Sequence, residues 1–389
     1  MDIPYSCQNI EDADLQSVTA ALRSSYLTQG PCIAEFENRF AAIHGVAHAI
    51  AVTNATAALH LGCLALGAGP GARVWTSPNS FVASANCALY CGATIGFVDI
   101  DPISRNMSIE SLRERLELAE KSGELPDIVI PVDFSGLPCD LKEIRQLASK
   151  YNFKVLQDAS HAVGANYLGR PVGSSYADAT VFSFHAVKIV TTGEGGVVTT
   201  NDGQLASRLR LLRSHGITRE ESAMDVPSHG PWFYQQVDLG FNYRLTDFQA
   251  ALGLSQLGRL HEMHLQRIAL ADRYDQLLCG LPLKLPIRFS DRVSSWHLYA
   301  VEIDCAAPFE CRKKVFSKLR EAGIGVNVHY IPVHTQPFFR RLGFRSGEFP
   351  ASEAYYQGAL SLPLFPSLTL EQQDYVVSAL EGLLSYYCY

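Results

Sequence analysis

Short apolar runs alternate with longer stretches of helical spacing through the first two thirds of the chain. Residues 47–52 read as a strand and 56–66 as the helix after it, and 73–76, 94–98, 127–132, 153–157, 179–184 and 196–200 read as further strands. Apolar positions spaced three and four apart fill several of the gaps, notably 108–120 and 141–150, and two more helices are expected ahead of the first strand. Strands joined by crossovers of that length are not hairpin partners. The pattern therefore predicts an α/β fold, a largely parallel sheet covered on both faces.

The last third has a different rhythm. Residues 246–277 are rich in helix formers, and Thr246 with Gln249 has the spacing of a capping box. Beyond Pro282 a strand is expected at 298–303, a helix near 310–321, a strand near Val326 and a terminal helix from Leu370. This suits a smaller α+β domain. A chain of 389 residues exceeds what one hydrophobic core usually organises. The expected division is an N-terminal segment 1–30 joining the small domain, a large α/β domain over 31–258 and a small C-terminal domain over 259–389.

Composition narrows the function. The chain is 47% apolar and carries a net charge of -7, which argues for a folded globular protein and against a nucleic-acid surface. Uncharged runs at 40–71 and 75–98 are broken by Asn54, Thr56, His60, Pro70, Pro78, Asn79 and Ser80, so they read as buried core and not as membrane spans. The ten cysteines are scattered with no CxxC pair, so no metal or disulfide framework is expected, only small thiols in a reducing cytosol. The first eight residues lack the basic and apolar regions of a signal peptide.

The densest chemistry lies around Lys188. The run from Phe182 through Ser183, Phe184 and His185 to Lys188 ends a strand and is followed by Thr191-Thr192-Gly193-Glu194-Gly195-Gly196. A desolvated lysine has a lowered pKa and forms imines with carbonyl groups, and nearby glycines let backbone approach closely. On composition alone, a structural lysine is favoured. Upstream, the strand at 153–157 runs into Asp158-Ala159-Ser160-His161, where a carboxylate could hold a pyridine nitrogen protonated or simply cap a helix. At Asn54-Ala55-Thr56 a strand passes through small residues into a helix whose free N–H groups favour an anion.

These segments together resemble the DegT/DnrJ-type aminotransferases, fold-type-I enzymes dependent on pyridoxal 5′-phosphate (PLP), and the similarity spans nearly the whole chain. The resemblance implies a seven-stranded, mostly parallel sheet in the large domain. It implies that Lys188 is the catalytic residue and carries PLP as a Schiff base, that Ser183, Ala55 and Thr56 bind its phosphate, and that Asp158 pairs with its ring nitrogen. His161 stands where many relatives carry glutamine. Phe81, in Pro78-Asn79-Ser80-Phe81, matches an aromatic ring stacked on the cofactor. Asn242, in Phe241-Asn242-Tyr243-Arg244, matches an asparagine that reaches the phosphate of a neighbouring subunit, which implies a homodimer. Arg244 itself reads either as an ion-pair residue or as a partner for a donor carboxylate.

Tyr5, the run Tyr26-Leu27-Thr28, and Asn327, His329 and Tyr330 resemble substrate-contact segments of a subgroup that aminates a 4-keto sugar on the route to pseudaminic acid. The expected partners are L-glutamate and a UDP-linked keto sugar, UDP-2-acetamido-2,6-dideoxy-β-L-arabino-hex-4-ulose, in the cytoplasm and without a metal. Another keto sugar (dTDP-4-keto or 3-keto) and a non-catalytic PLP-binding regulatory protein are the alternatives. A PLP sugar dehydratase of the same family carries histidine in place of the lysine, so Lys188 argues against it.

Overall fold

The computed structural model describes residues 2–388. Seven strands form the main sheet: β1 (His48–Val52), β2 (Arg73–Thr76), β3 (Thr94–Phe97), β4 (Ile128–Ile130), β5 (Lys154–Asp158), β6 (Ala179–Ser183) and β7 (Gly196–Thr200). Their spatial order is β1-β7-β6-β5-β4-β2-β3. β7 runs antiparallel to both β1 and β6, and the remaining neighbours are parallel. β6 and β7 are buried along their whole length, as strands covered on both faces must be.

Two apolar layers cover the sheet. One contains Leu59 and Leu61 of helix α1 (Ala55–Ala65), Cys87 of α2 (Ala83–Tyr90) and Leu209 of α3 (Gly203–Arg213). The other contains Phe36, Phe40, Phe182, Phe184 and Leu257. The capping box anticipated from Thr246 and Gln249 starts α4 (Asp247–Gly258). The helical stretch breaks at Arg259 before α5 (Leu260–Leu277), and Arg259 bonds Asp14 at 2.6 Å there.

A separate core gathers Tyr274, Tyr299, Val301, Val315, Leu360 and Leu380, together with Ile3 from the start of the chain. Its antiparallel sheet joins β8 (Leu283–Lys284), β9 (Tyr299–Ile303) and β10 (Ala359–Leu362). The strand expected near Val326 is reduced to isolated bridges, Ile3 with Ile324 and Asn327 with Ser361. Gly325 explains this: a Cβ there would lie 2.6 Å from the Tyr5 nitrogen, so the segment is wedged against residues 3–5 instead of laddering.

One expectation about cysteine is overturned. Cys311 and Cys388 form a disulfide across 77 residues of sequence, where free thiols were expected. The packing of α6 (Pro308–Glu321) against α7 (Leu370–Tyr387) brings them together, a contact that no local spacing announces. Among the described residues, no helix is long and apolar enough to cross a membrane.

Candidate active site

Gly196, the first residue of β7, pairs with Val52 on one side and Ser183 on the other. That register aligns the ends of β1 and β6 at one sheet edge, where α1 begins. A Cβ on Gly196 would sit 2.7 Å from the Asn54 carbonyl carbon and 2.8 Å from the Ala55 nitrogen, so only glycine permits this approach. Asn54 caps α1 by accepting from Ala57 N at 2.8 Å, which leaves the amides of Ala55 and Thr56 at the cavity wall beside Ser183.

Asp158 ends β5 at the same edge. Its Oδ2 accepts from Ser84 Oγ at 2.6 Å and its Oδ1 from Ser160 N at 3.1 Å, so the carboxylate is aimed from two sides. Ser80 Oγ lies 2.6 Å from Ser84 Oγ and extends the chain of hydroxyls.

Lys188 reaches the cavity from the turn after β6, and Nζ lies 3.4 Å from His297 Nε2. The surrounding atoms desolvate its amine and lower its pKa to about 8, against a smaller upward pull from Asp158. Three histidines stand near it, all held neutral chiefly by burial and further by the lysine's charge: His161 and His297 far below the ordinary value, His329 at about 3. His161 Nε2 is 3.1 Å from the Tyr330 hydroxyl, and His329 Nδ1 is 2.8 Å from Ser361 Oγ.

The cavity so enclosed has a volume of about 940 Å³. It brings together Tyr5, Ala55, Thr56, Phe81, Asp158, His161, Ser183, Lys188, Asn327, His329 and Tyr330 from among the anticipated residues. Phe81 is 60% exposed although Pro78, Asn79 and Ser80 before it are buried, so its ring is presented to the opening and is not core. Tyr26, Leu27, Thr28 and Asn242 lie outside the cavity of one chain. Tyr26 and Leu27 are exposed, Thr28 bridges to Thr246, and Asn242 bridges to Ser214. Arg244 bridges to Val52 through its backbone. Sequence reasoning missed His297 and Ser84. A lone histidine in the apolar run Trp296-His297-Leu298-Tyr299 was the available signal for the first; the second, in a small-residue helix, had none.

A sheet edge that carries a desolvated lysine, a doubly hydrogen-bonded aspartate and an anion cradle invites comparison with known proteins. The sequence profile of the DegT/DnrJ/EryC1/StrS aminotransferase family matches residues 8–381. The chain belongs to this family. It is 38% identical over 385 residues to the spore coat polysaccharide biosynthesis protein SpsC of Bacillus subtilis, covering 98% of this chain and 97% of the relative. It is 37% identical over 386 residues to the UDP-4-amino-4,6-dideoxy-N-acetyl-beta-L-altrosamine transaminase of Campylobacter jejuni, covering 98% and 97%. Among solved structures, the PMP form of the putative sugar aminotransferase Spr1654 of Streptococcus pneumoniae superposes with a TM-score of 0.91 at 30% identity, over 99% of this chain and all (100%) of that one. Helicobacter pylori PseC, an aminotransferase involved in the biosynthesis of pseudoaminic acid, gives 0.91 at 30% over 100% of both chains.

As a member of the DegT/DnrJ/EryC1/StrS family the protein is a PLP-dependent aminotransferase. The residues present fit that cofactor. The cavity wall supplies an amine for its aldehyde, a carboxylate for its ring nitrogen and helix-terminal amides for its phosphate. His161 Nδ1 and His297 Nδ1 are buried polar atoms without a protein partner.

Proposed function

We propose that the protein transfers the amino group of L-glutamate to C4 of UDP-2-acetamido-2,6-dideoxy-β-L-arabino-hex-4-ulose, giving the 4-amino-4,6-dideoxy altrosamine nucleotide of pseudaminic acid biosynthesis. The observation that carries the reading is the chain-long similarity to the Campylobacter transaminase, joined to a cavity whose wall combines Lys188 and Asp158 with Tyr5, Asn327 and Tyr330. A cavity of about 940 Å³ leaves room for a sugar beside the cofactor.

Bound PLP supplies the aldehyde that receives the amino group and the protonated ring that draws off electron density. Lys188 would hold it covalently. Freed by the amino donor, the amine of Lys188 would move the proton at the donor Cα, and the same amine would serve the keto sugar in reverse. Asp158, fixed by Ser84 and Ser160, keeps a proton on the ring nitrogen. The amides of Ala55 and Thr56 and the hydroxyl of Ser183 would hold the phosphate, Phe81 would pack on the ring, and His161 would donate toward the cofactor's oxygen. Tyr5, Asn327, His329 and Tyr330 contact the sugar nucleotide.

The position of Asn242 and of Tyr26, Leu27 and Thr28 outside the single-chain cavity supports a homodimer in which these residues serve the neighbouring site. Mixing Lys188→Ala chains with Asn242→Ala chains tests this. Random pairing restores roughly a quarter of wild-type sites, because one site of each mixed dimer is intact. Cytoplasm, where nucleotide sugars and PLP meet, is the compartment this reading implies.

The decisive experiment incubates purified protein with glutamate and a panel of UDP- and dTDP-linked keto sugars and identifies products by NMR. The altrosamine-type product is expected. Conversion of only a dTDP-linked or 3-keto sugar overturns the substrate and leaves the family assignment standing.

A further inference from the structure

His297 is clamped far more heavily than a packed histidine requires. Its backbone N donates to Ser135 O at 3.0 Å, and Ser295 beside it donates from N to Gly136 O at 3.0 Å and from Oγ to His161 O at 2.5 Å. Arg267, itself 1% exposed, donates to the carbonyls of Trp296 at 3.0 Å, His297 at 3.4 Å and Leu364 at 3.1 Å. Gly136 is part of the clamp: at φ +95 it favours glycine, and a Cβ there would lie 2.0 Å from Ser295 Oγ and 3.3 Å from His297 N. The fixed ring is 3% exposed. Nε2 faces Lys188 Nζ at 3.4 Å, and it is the only side-chain hydrogen-bond partner of that amine among the described residues.

Of the two ring nitrogens of His297 only Nε2 has a partner, the one amine the reaction depends on. In aminotransfer, Lys188 is a free amine between two proton transfers. An unrestrained four-carbon side chain would leave it mispointed for much of that interval. An imidazole kept neutral by burial accepts a hydrogen bond from the amine without taking its proton.

We propose that His297 is a positioning residue for Lys188: its Nε2 accepts a hydrogen bond from the released amine and aims it at the carbon atoms between which it carries the proton. The inference rests on the reaction proposed above only for the timing of that release. The contact itself does not depend on that reaction.

Two variants separate nitrogen from packing. His297→Gln keeps an acceptor near the Nε2 position, and His297→Phe keeps a ring without one. The first readout uses apoenzyme, recording against pH the rate at which added PLP becomes trapped on Lys188 by borohydride. The other groups facing the pair are Asp158, His161, His329, Tyr330 and Arg267, and they are common to all three proteins. Loss of the acceptor from the ammonium form moves the midpoint down by about one pH unit in His297→Phe and leaves it near wild type in His297→Gln. The second readout is exchange of the glutamate Cα hydrogen with deuterated solvent in holoenzyme. It falls roughly 10–100-fold in His297→Phe at unchanged glutamate KM and is largely restored in His297→Gln. Wild-type behaviour of His297→Phe in the apoenzyme midpoint, or equal losses in both variants, overturns the role. If wild type does not exchange the glutamate hydrogen, the donor assignment fails instead, and the apoenzyme midpoint still decides His297.

Discussion

Ser84 Oγ donates a 2.6 Å hydrogen bond to Asp158 Oδ2, from the first turn of the helix that follows the Phe81 segment. A hydrogen bond to a charged group contributes about 1.5–3 kcal/mol, so Ser84→Ala weakens PLP binding roughly 10–100-fold as read by cofactor titration. Asp158→Ala, which removes one member of a buried pair worth roughly 3–5 kcal/mol, lowers amination by two to three orders of magnitude. Unaltered cofactor affinity in Ser84→Ala would show that Ser160 alone orients the carboxylate.

Covalent attachment of an aldehyde needs the neutral amine. Burial lowers the Lys188 pKa to about 8 from the ordinary lysine value of 10.5. The apoenzyme's rate of PLP capture therefore rises with pH and levels off above about 8. Borohydride reduction of the complex labels Lys188 and, in Lys188→Ala, labels nothing. Stability follows the same group: between about 8 and 10.5 the unfolded chain binds the proton that the folded one has released, so apoenzyme gains stability as pH rises through that window. A label on Lys154 would displace Lys188 from its role.

Gly196→Ala forces the Asn54–Ala55 backbone to move, because the new Cβ would lie 2.7 Å from it. Overpacking of this kind costs about 1–3 kcal/mol, read as a lower melting temperature. Because the moved atoms begin α1, affinity for PLP and for inorganic phosphate falls together. A fall in stability with unchanged anion affinity would separate the turn from the cradle.

His44 stacks on Phe40 at 4.0 Å, bonds the Phe40 carbonyl through Nδ1, and is buried so that its pKa drops to about 4. The unfolded chain takes this proton at about 6.5 and the folded chain near 4, so stability is complete above 6.5 and declines as pH falls toward 4. The loss reaches about 3 kcal/mol. His44→Phe should flatten the acid limb of urea denaturation measured across that window; an unchanged limb would assign it to other groups.

The Cys311–Cys388 disulfide closes a separation of 77 residues. Opening it lowers stability by about 4 kcal/mol in the chain-entropy account. Thiol titration of unfolded, unreduced protein should find the free set Cys7, Cys32, Cys63, Cys87, Cys91, Cys139, Cys279 and Cys305, and reduction should add two. A full complement before reduction would refute the pairing in solution.

The strands and their order along the chain were readable because each is a short apolar run between helical stretches. Residues 73–76 and 196–200 match β2 and β7 residue for residue. Lys188, Asp158 and the Ala55–Thr56 turn were readable as well, since each stands at the end of such a run. Their roles came from resemblance and not from spacing. Ser84 left no mark in the sequence and His297 only that of a histidine in an apolar run, and each acquires meaning only from an atom far away in sequence.

What the sequence determined by itself was local, because hydrophobic period, caps and turns depend on neighbours a few positions apart. It carried the parallel α/β layout, the capping box at Thr246 and the lysine set between strands. The tertiary structure alone decided the pairing of Val52 and Ser183 across Gly196, the clamp that turns His297 toward Lys188, the meeting of Cys311 with Cys388, and the exclusion of Asn242 from its own chain's cavity. These are contacts between segments tens to hundreds of residues apart, set by sheet register and by the packing of two cores, and no local pattern encodes such distances.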